Sequence, residues 1–495
     1  MLRCTDNLPL ELYTAAQVRA LDARIINDFG VPGIQLMLKA SRALFSTFET
    51  QWPDCDALQV FCGKGNNAGD AYLMAALAVE RGYTVRLWQV GDAPSAGDAL
   101  TARERAEAAG VVAKPWRGEL PDAGVIVDGL LGTGLKGDVR PAFAEAINAI
   151  NASGLPVLAV DVPSGLCSDS GRILGAAVRA SVTVSFIGLK QGLFTADAAE
   201  CVGHLYFSDL EAPDAAMSDP PSVKRLLLEC QHEVLPARAR TAHKGHCGHV
   251  LVVGGDEGMA GAIVLAASAA ARSGAGLVSC ATRSAHLPGL LASRPEVMGH
   301  GVESVSALAS LLAKASVVVI GPGLGQQRWG RALLSEVLKS DLPVVLDADA
   351  LNLLGAKPEL QRRAATIMTP HPGEAARLLD CTTADIHRDR FAAAAKLREI
   401  TGASVLLKGA GTVIADDQGL AVSHYGNPGM ASGGMGDVLS GVLGALLAQG
   451  LCASDSLRLG VCAHGVAADA AAALGGERGM LASDVIEQLR GVLNG

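Results

Sequence analysis

The sequence predicts an α/β protein built from two unlike halves, and three observations carry that expectation. Short apolar runs alternate with helical patterns along most of the chain, as in parallel sheets covered by helices. The pattern breaks at an acidic, proline-bearing stretch over 210–222 (LEAPDAAMSDPPS) and then restarts. The 495 residues also exceed what one hydrophobic core usually serves, so about two or three domains are expected.

Composition agrees. Hydrophobic residues make up 49% of the chain and aromatic ones only 4%. The mean hydropathy of +0.30 comes largely from Ala, Val and Leu, which suits helices packed through small side chains. The 58 glycines fall in short clusters, pointing to shaped loops and not to flexible tracts. The net charge of −9 contains no basic block, which disfavours a nucleic-acid partner. Met1 to Leu12 has no apolar core and reads as neither signal peptide nor anchor. The apolar stretch 260–280 carries Arg272 and many small residues, so it reads as buried helix and strand. The 11 cysteines include no C-x-x-C pair, and their odd number fits free thiols in a reducing cytoplasm. A soluble, cytoplasmic protein with no membrane partner is expected.

In the first half, Thr14 and Gln17 form a capping box ahead of a helix reaching Asp28, and a second helix covers 34–50. Strands are expected over 58–62, 85–90, 125–130 and 155–160, with helices over 71–81, 100–109 and 142–151 between them. This is a doubly wound pattern, whose ligands sit at the carboxyl ends of the strands. The linker is placed at 213–222. Beyond it, strands are expected over 249–253, 277–281, 317–320, 344–346, 365–368 and 405–408. Helices are expected over 261–272, 307–313, 384–400, 436–448 and 457–473. The halves share no motif order, so they are fused unlike domains and not a duplication.

Three glycine-bearing strand ends mark the first half. Residues 61–70 (FCGKGNNAGD) follow a strand and open a helix, where backbone N–H groups and the helix dipole can receive a phosphate. A tight strand–helix turn is the plainer reading of such a loop alone. It has neither a Walker ending nor G-x-G-x-x-G spacing. Residues 128–138 (DGLLGTGLKGD) and 161–165 (DVPSG) end two further strands, and all three should converge on one crevice.

Together, GNNAGD, DGLLGTGLKGD and DVPSG resemble the NAD(P)H-hydrate epimerase family over essentially the whole first half. The resemblance implies a Rossmann-like domain in which Asn66, Asn67, Ala68, Gly69 and Asp70 hold the hydrated nucleotide. Gly132, Thr133, Gly134, Leu135, Lys136, Gly137 and Asp138 would share that task, with Asp161 beside the reacting ring. Asn67, Asp128 and Ser164 match positions that bind a potassium ion, a sensible role for oxygen ligands at loop ends. Ala68 departs from the family's usual Gly. Interconverting epimers at C6 requires the C6–O bond to open and re-form on the other face, or ring opening. Asp161 is the candidate acid/base, against the plainer reading of a structural carboxylate. Lys190 is read as a loop lysine, more simply exposed than turned into the crevice.

In the second half, residues 427–441 (NPGMASGGMGDVLSG) run a glycine turn into a helix, so N–H groups can form an anion hole for a transferring phosphoryl group. Asp437, in that helix's first turn, could take the proton of an attacking hydroxyl. An Asp there also complements the helix dipole, and it is the glycine context that points to chemistry. This pattern resembles the ribokinase-like superfamily. MAGAI (259–263), GPGLG (321–325), DAD (347–349), TPHPGE (369–374) and KGAGT (408–412) narrow it to the ADP-dependent NAD(P)H-hydrate dehydratases. The resemblance implies that Ala262, Gly323, Gly325, His371 and Asp437 contact the substrate, NADHX or NADPHX. Lys408, Gly409, Ala410, Gly411, Thr412 and Gly436 would hold ADP, with Mg²⁺ accompanying it. Transfer of the terminal phosphate of ADP to the C6 hydroxyl would turn a poor leaving group into a good one, giving AMP, phosphate and NAD(P)H.

His371, between two prolines, is raised above an ordinary structural histidine only by that resemblance. The histidines of 243–249 (HKGHCGH) enter a strand with no second ligand cluster, which weakens a metal reading. The rival function is a ribokinase-like small-molecule kinase carrying a nucleotide-binding scaffold. A kinase would release a stable phosphorylated product, whereas repair releases orthophosphate. The family resemblance also allows a homo-oligomer.

Overall fold

The computed structural model describes residues 3–4, 7–119, 121–217, 220–356, 358, 360 and 365–494. The chain forms two compact units, Met1–Lys224 and Arg225–Gly495. Among the described residues both units are built on mixed, mainly parallel sheets with helices on their faces.

In the first unit, the strands are β1 (Arg3–Cys4), β2 (Glu11–Tyr13), β3 (Ala57–Cys62), β4 (Thr84–Gln89) and β5 (Ala113–Pro115), then β6 (Val125–Gly129), β7 (Val157–Val160), β8 (Val182–Phe186), β9 (Leu189–Lys190) and β10 (His204–Ser208). Eight of them form one sheet in the order β1-β10-β8-β7-β6-β3-β4-β5, parallel except for β1. The strand order reverses between β3 and β6, so the loops after these two strands flank a switch point, where such folds bind ligands. β6 and β7 are buried along their whole length, as strands covered on both faces must be.

Helix α1 (Ala15–Asn27) starts at the Thr14–Gln17 capping box. Helix α2 (Gly33–Gln51) follows, and α3 (Asn66–Glu80) begins directly in the first glycine loop. The sequence pattern starts α3 five residues late, because Asn66 to Asp70 look like loop residues although they form the first helical turn. The stretch over 213–222 is not a free connector. Asp214–Met217 forms a 3₁₀ turn, and Ala216 is fully buried in the first unit's core. Ser218 and Asp219, also assigned to the linker, lie outside the described residues.

The second unit begins within β11 (Val223–Arg225), and continues through β12 (His249–Val253), β13 (Leu277–Thr282), β14 (Met298–Gly301), β15 (Val317–Ile320) and β16 (Val344–Leu346). It ends with β17 (Thr366–Met368), β18 (Ser404–Leu407), β19 (Thr412–Asp416) and β20 (Gly419–Ser423). Strands β12 to β20 lie in the order β14-β13-β12-β15-β16-β17-β18-β19-β20, with β18, β19 and β20 antiparallel to one another. Here the switch point lies between β12 and β15. The expected helix over 384–400 is two helices, Thr383–Arg388 and Arg390–Thr401. Asp389 separates them, its side chain capping the second by accepting from the Ala392 N–H at 2.9 Å.

Helix Ala453–Gly475 has the length and apolar composition of a membrane span, yet much of it is buried in the second unit's core. Its apolar residues meet Met435–Ala448 and the sheet, as a core helix does. Arg458 on the same helix makes a two-pronged, buried ion pair with Asp416, at 2.7 and 2.8 Å. Every described cysteine side chain is a free thiol.

Candidate active sites

A cavity of about 550 Å³ lies at the carboxyl ends of the first unit's strands. It brings together Asn66, Asn67 and Asp70 from α3, Gly132 to Lys136 from the loop after β6, and Asp161 from the end of β7. Gly69, Gly137 and Asp138 do not line it. Gly69 instead packs on α2, where an added Cβ would stand 2.5 Å from the Met37 sulfur. Gly132 is shaped by its neighbour, since a Cβ there would meet Asn67 Oδ1 at 2.2 Å.

Ala68 is fully buried among core residues and does not line the cavity. Its departure from glycine therefore fills core space in the first turn of α3. We expect Ala68→Gly to leave epimerase turnover unchanged while lowering stability by about 1 kcal/mol, read as a lower melting temperature beside an unchanged rate.

Asp161 adopts the left-handed conformation, φ 66°, which is costly for a residue with a Cβ and is typically held in place at functional sites. Its Oδ1 accepts from Ser185 Oγ at 3.1 Å and the Phe186 N–H at 3.2 Å, and it pairs closely with Lys190. Lys190 is not an exposed loop lysine. It is 1% exposed and also donates to the Phe186 carbonyl at 3.0 Å. The strand β9, two residues long, pairs with β2 and buries this lysine; a Gly-Leu-Lys-Gln-Gly sequence gives no periodicity from which that could be read.

Two more carboxylates share the cavity. Burial pushes Asp70 well above the usual carboxylate range, with Asp161 and Asp22 adding to the effect. Asp22, on α1, is pushed up to about 6 by burial, with Lys190 opposing and Asp161 reinforcing. Arg19 and Asp22, both on α1, line the cavity but carry no glycine motif, so sequence reasoning missed them; only the amphipathic register of α1 could have placed them there.

Below the cavity lies a group of oxygens. Asp128 is fully buried, accepting from Ser164 Oγ at 2.6 Å, the Ser164 N–H at 2.8 Å and the Leu130 N–H at 3.3 Å. All these donors are neutral, and burial raises its pKa to about 6. Asn67 donates to the Val160 carbonyl at 2.7 Å, leaving its own side-chain oxygen beside Gly132.

In the second unit the polar groups converge at the ends of β16, β17 and β18. Asp347, after β16, accepts from Thr369 Oγ1 at 2.8 Å, Ser440 Oγ at 2.7 Å and Lys408 Nζ at 2.8 Å. Burial opposes its ionisation, but Lys408 and these hydrogen bonds outweigh it and hold the carboxyl below its usual range. Lys408 also reaches within 4.0 Å of Glu374. Glu374 is raised to about 7 by burial against the pull of Lys408. Asp437, in the first turn of helix Met435–Ala448, is likewise raised to about 7 by burial, with the Asp347 charge reinforcing and Lys408 opposing.

Gly436 joins the two ends of this arrangement, because a Cβ there would lie 3.3 Å from Lys408 Nζ and 3.6 Å from Asp347 Oδ2. Lys408 is thus an ion-pair partner inside the Asp437 cluster as well as the first residue of the KGAGT turn. Arg390 braces that turn, donating to the carbonyls of Ala410, Leu407 and Lys408 at 2.9, 3.2 and 3.2 Å. Gly409 is required by this brace, since a Cβ would sit 2.7 Å from the guanidinium.

His371 is half-exposed and caps helix Pro372–Leu379, its Nδ1 accepting the Gly373 N–H at 3.0 Å. The ring proton therefore sits on Nε2, 3.3 Å from Glu374. Burial and Lys408 depress its pKa, so it is neutral near pH 7. Ala262 and Gly323 meet across the switch point, where a Cβ on Gly323 would stand 3.2 Å from that of Ala262. Gly325 donates its N–H to Asp349 at 2.9 Å. Among the described residues no group of three or more His, Cys, Asp or Glu could hold a metal ion. His249 instead contacts Ser279 Oγ at 2.8 Å.

These features define a two-unit nucleotide-handling enzyme, the second unit having the ribokinase-like arrangement of a glycine turn, a helix N-terminus and an aspartate. The comparisons are specific. The family described as YjeF-related protein N-terminus matches residues 33–192, and NAD(P)H-hydrate dehydratase matches 250–490. A bifunctional NAD(P)H-hydrate repair enzyme from Coxiella burnetii is 46% identical over 98% of this chain and 99% of its own. A ribokinase-like protein from Enterococcus faecalis superposes with a TM-score of 0.51 at 27% identity, over 55% of this chain and 95% of its own. An ADP/ATP-dependent NAD(P)H-hydrate dehydratase from Bacillus subtilis, co-crystallised with ATP and Mg²⁺, gives 0.49 at 28%, over 54% and 96%.

The chain belongs to the bifunctional NAD(P)H-hydrate repair enzymes, which join an epimerase unit to a dehydratase unit.

Proposed function

We propose that the first unit interconverts the R and S hydrates of NADH and NADPH, and that the second dehydrates the S form at the expense of ADP, releasing AMP and phosphate. The observation that supports this most is that each unit gathers titratable groups suited to one of these steps at the carboxyl ends of its parallel strands. In the first unit, Asp161 acts on the C6 hydroxyl, held in register by Lys190 and Ser185. In the second, Asp437 takes the proton from that hydroxyl as it attacks phosphorus, and the N–H groups at the helix start receive the developing charge. Ala262, Gly323, Gly325 and His371 would border the nicotinamide nucleotide, and the KGAGT turn with Gly436 the adenine nucleotide.

Asn67, Asp128 and Ser164 fit a potassium ion. They offer oxygen donors only, and the buried Asp128 carboxylate has no cationic partner among the described residues. The ion would supply that counter-charge and stiffen the loops bordering the cavity. Mg²⁺ enters as part of the nucleotide substrate, bound mainly by its phosphates and by water.

The test supplies a mixture of both epimers with ADP and Mg²⁺ and follows recovery of reduced-nicotinamide absorbance together with orthophosphate. Near-complete recovery, faster than spontaneous epimerisation allows, is expected. Recovery halting at the S fraction would remove the epimerase role. A stable phosphorylated product without orthophosphate would replace the whole reading with a kinase.

A further inference from the structure

Asp22 stands in the second turn of α1, ahead of the 33–192 region matched by the first-unit family. It lines the same cavity as Asp161. Its Oδ1 is buried without a hydrogen-bond partner among the described residues. Buried carboxylate oxygens are normally satisfied. Asp22 keeps Oδ1 unpaired inside the protein while its side chain borders the cavity, an arrangement that suits the neutral, proton-carrying carboxyl.

The neighbouring groups have other tasks. Asp161 is bound by Lys190, Ser185 and the Phe186 N–H, so its Oδ1 is already engaged by three donors. Asp70 also lines the cavity, and burial raises it well above the usual carboxylate range. Changing configuration at C6 by loss and return of the hydroxyl needs both a donor and an acceptor. The charged groups facing Asp22 are Lys190 from β9, Asp161 from the end of β7, Asp70 from α3 and Arg19 on α1 itself. Burial leaves Asp22 titrating close to neutrality among them, as a cycling proton donor should.

We propose that Asp22 is a second catalytic acid–base residue of the epimerase site, the proton donor that works opposite Asp161. This rests on the epimerase reading of the first unit. The protonated Asp22 gives its proton to the C6 hydroxyl. The C6–O bond then breaks, its electron pair leaving with water, and the N1 lone pair forms a C6=N1 iminium. A water on the other face bonds to C6, the C=N pair returns to N1, and Asp161 takes the added water's proton. One water leaves and one enters; the proton moved from Asp22 to Asp161 is restored by exchange with solvent.

The test uses the full chain with mixed epimers, ADP and Mg²⁺, comparing wild type, Asp22→Asn, Asp22→Glu and Asp161→Asn. The circular dichroism spectrum and thermal melt of each variant report that its first unit is folded. Asp22→Asn is expected to lower the epimerisation kcat by about 100-fold or more, with KM little changed. It should also abolish the decline of the wild-type rate as pH rises through the Asp22 transition, and Asp22→Glu should restore part of the rate. Wild-type epimerisation by Asp22→Asn, beside an inactive Asp161→Asn, would overturn the proposal and leave the epimerase reading standing. A raised KM with the same pH limb would overturn it in favour of a binding role. Failure of the wild type itself would overturn both.

Discussion

Asp437→Asn is expected to lower dehydration turnover by about 10²–10⁴-fold, the range supplied by a positioned general base, while epimerisation in the first unit continues at its normal rate. The amide keeps the volume and the contacts of the helix start but cannot take the hydroxyl proton. The pH dependence follows from the same group. Asp437 must be ionised to act, and it titrates at about 7, so wild-type dehydration should decline as pH falls through that region. Stability runs the other way. The folded pKa exceeds the unfolded value of about 3.9, so the folded state binds more protons between the two, and stability is lost as pH rises across that window. Asp437→Asn removes this cost and should melt a few degrees higher than wild type above pH 7. Stopped assays across pH, paired with thermal melts, check both signs. A variant that turns over normally would exclude Asp437 as the base, and an activity limb near pH 7 surviving in the variant would assign that limb to Glu374 instead.

The parts of this architecture legible in the sequence are those with a local cause. Buried strands such as Val317–Ile320 and Val344–Leu346 are continuous apolar runs, and the Thr14–Gln17 box announces α1 two residues in. The glycine loops are visible because close backbone approach removes side chains: Gly132 faces Asn67, and Gly321 would collide with the Asp347 carbonyl at 1.8 Å. What stays hidden depends on partners distant in sequence. Lys190 looks like a solvent residue until β2, arriving from residue 11 onward, closes over it. Arg390 reads as an ordinary helical arginine, yet its guanidinium is buried on three carbonyls of a turn some twenty residues later. The hairpin of β19 and β20 escaped because its turn, Asp417 and Gln418, lacks the Asn-Gly or Asp-Gly pair that usually marks one. Asp22 belongs to this second group. No motif surrounds it, and only the assembled cavity shows an aspartate where α1 could have carried a plain polar residue.

The Asp161–Lys190 pair carries the other large effect. Asp161→Asn should lower epimerisation by about 10²–10⁴-fold and also destabilise the first unit, because the two consequences have one origin. Lys190 is 1% exposed, and its ammonium is satisfied by Asp161, Ser185 Oγ and the Phe186 carbonyl. Removing the single ionised partner leaves a buried cation held only by neutral oxygens, a change that typically costs about 3–5 kcal/mol. The loss is self-limiting here, because Asp22 lies within electrostatic range of the same lysine. With Asp161 neutral, burial still raises the Asp22 pKa but the added push from the Asp161 charge is gone and the Lys190 charge is unopposed, so Asp22 should ionise more readily and take over part of the counter-charge. The destabilisation of Asp161→Asn should therefore fall below that range and grow when Asp22→Asn is added. A double-mutant cycle of melting or denaturant midpoints measures this coupling directly. Strictly additive losses would show that Asp22 does not sense the Lys190 charge. Coupling of the expected sign would tie the proton donor, the acceptor and the buried ammonium into one electrostatic unit.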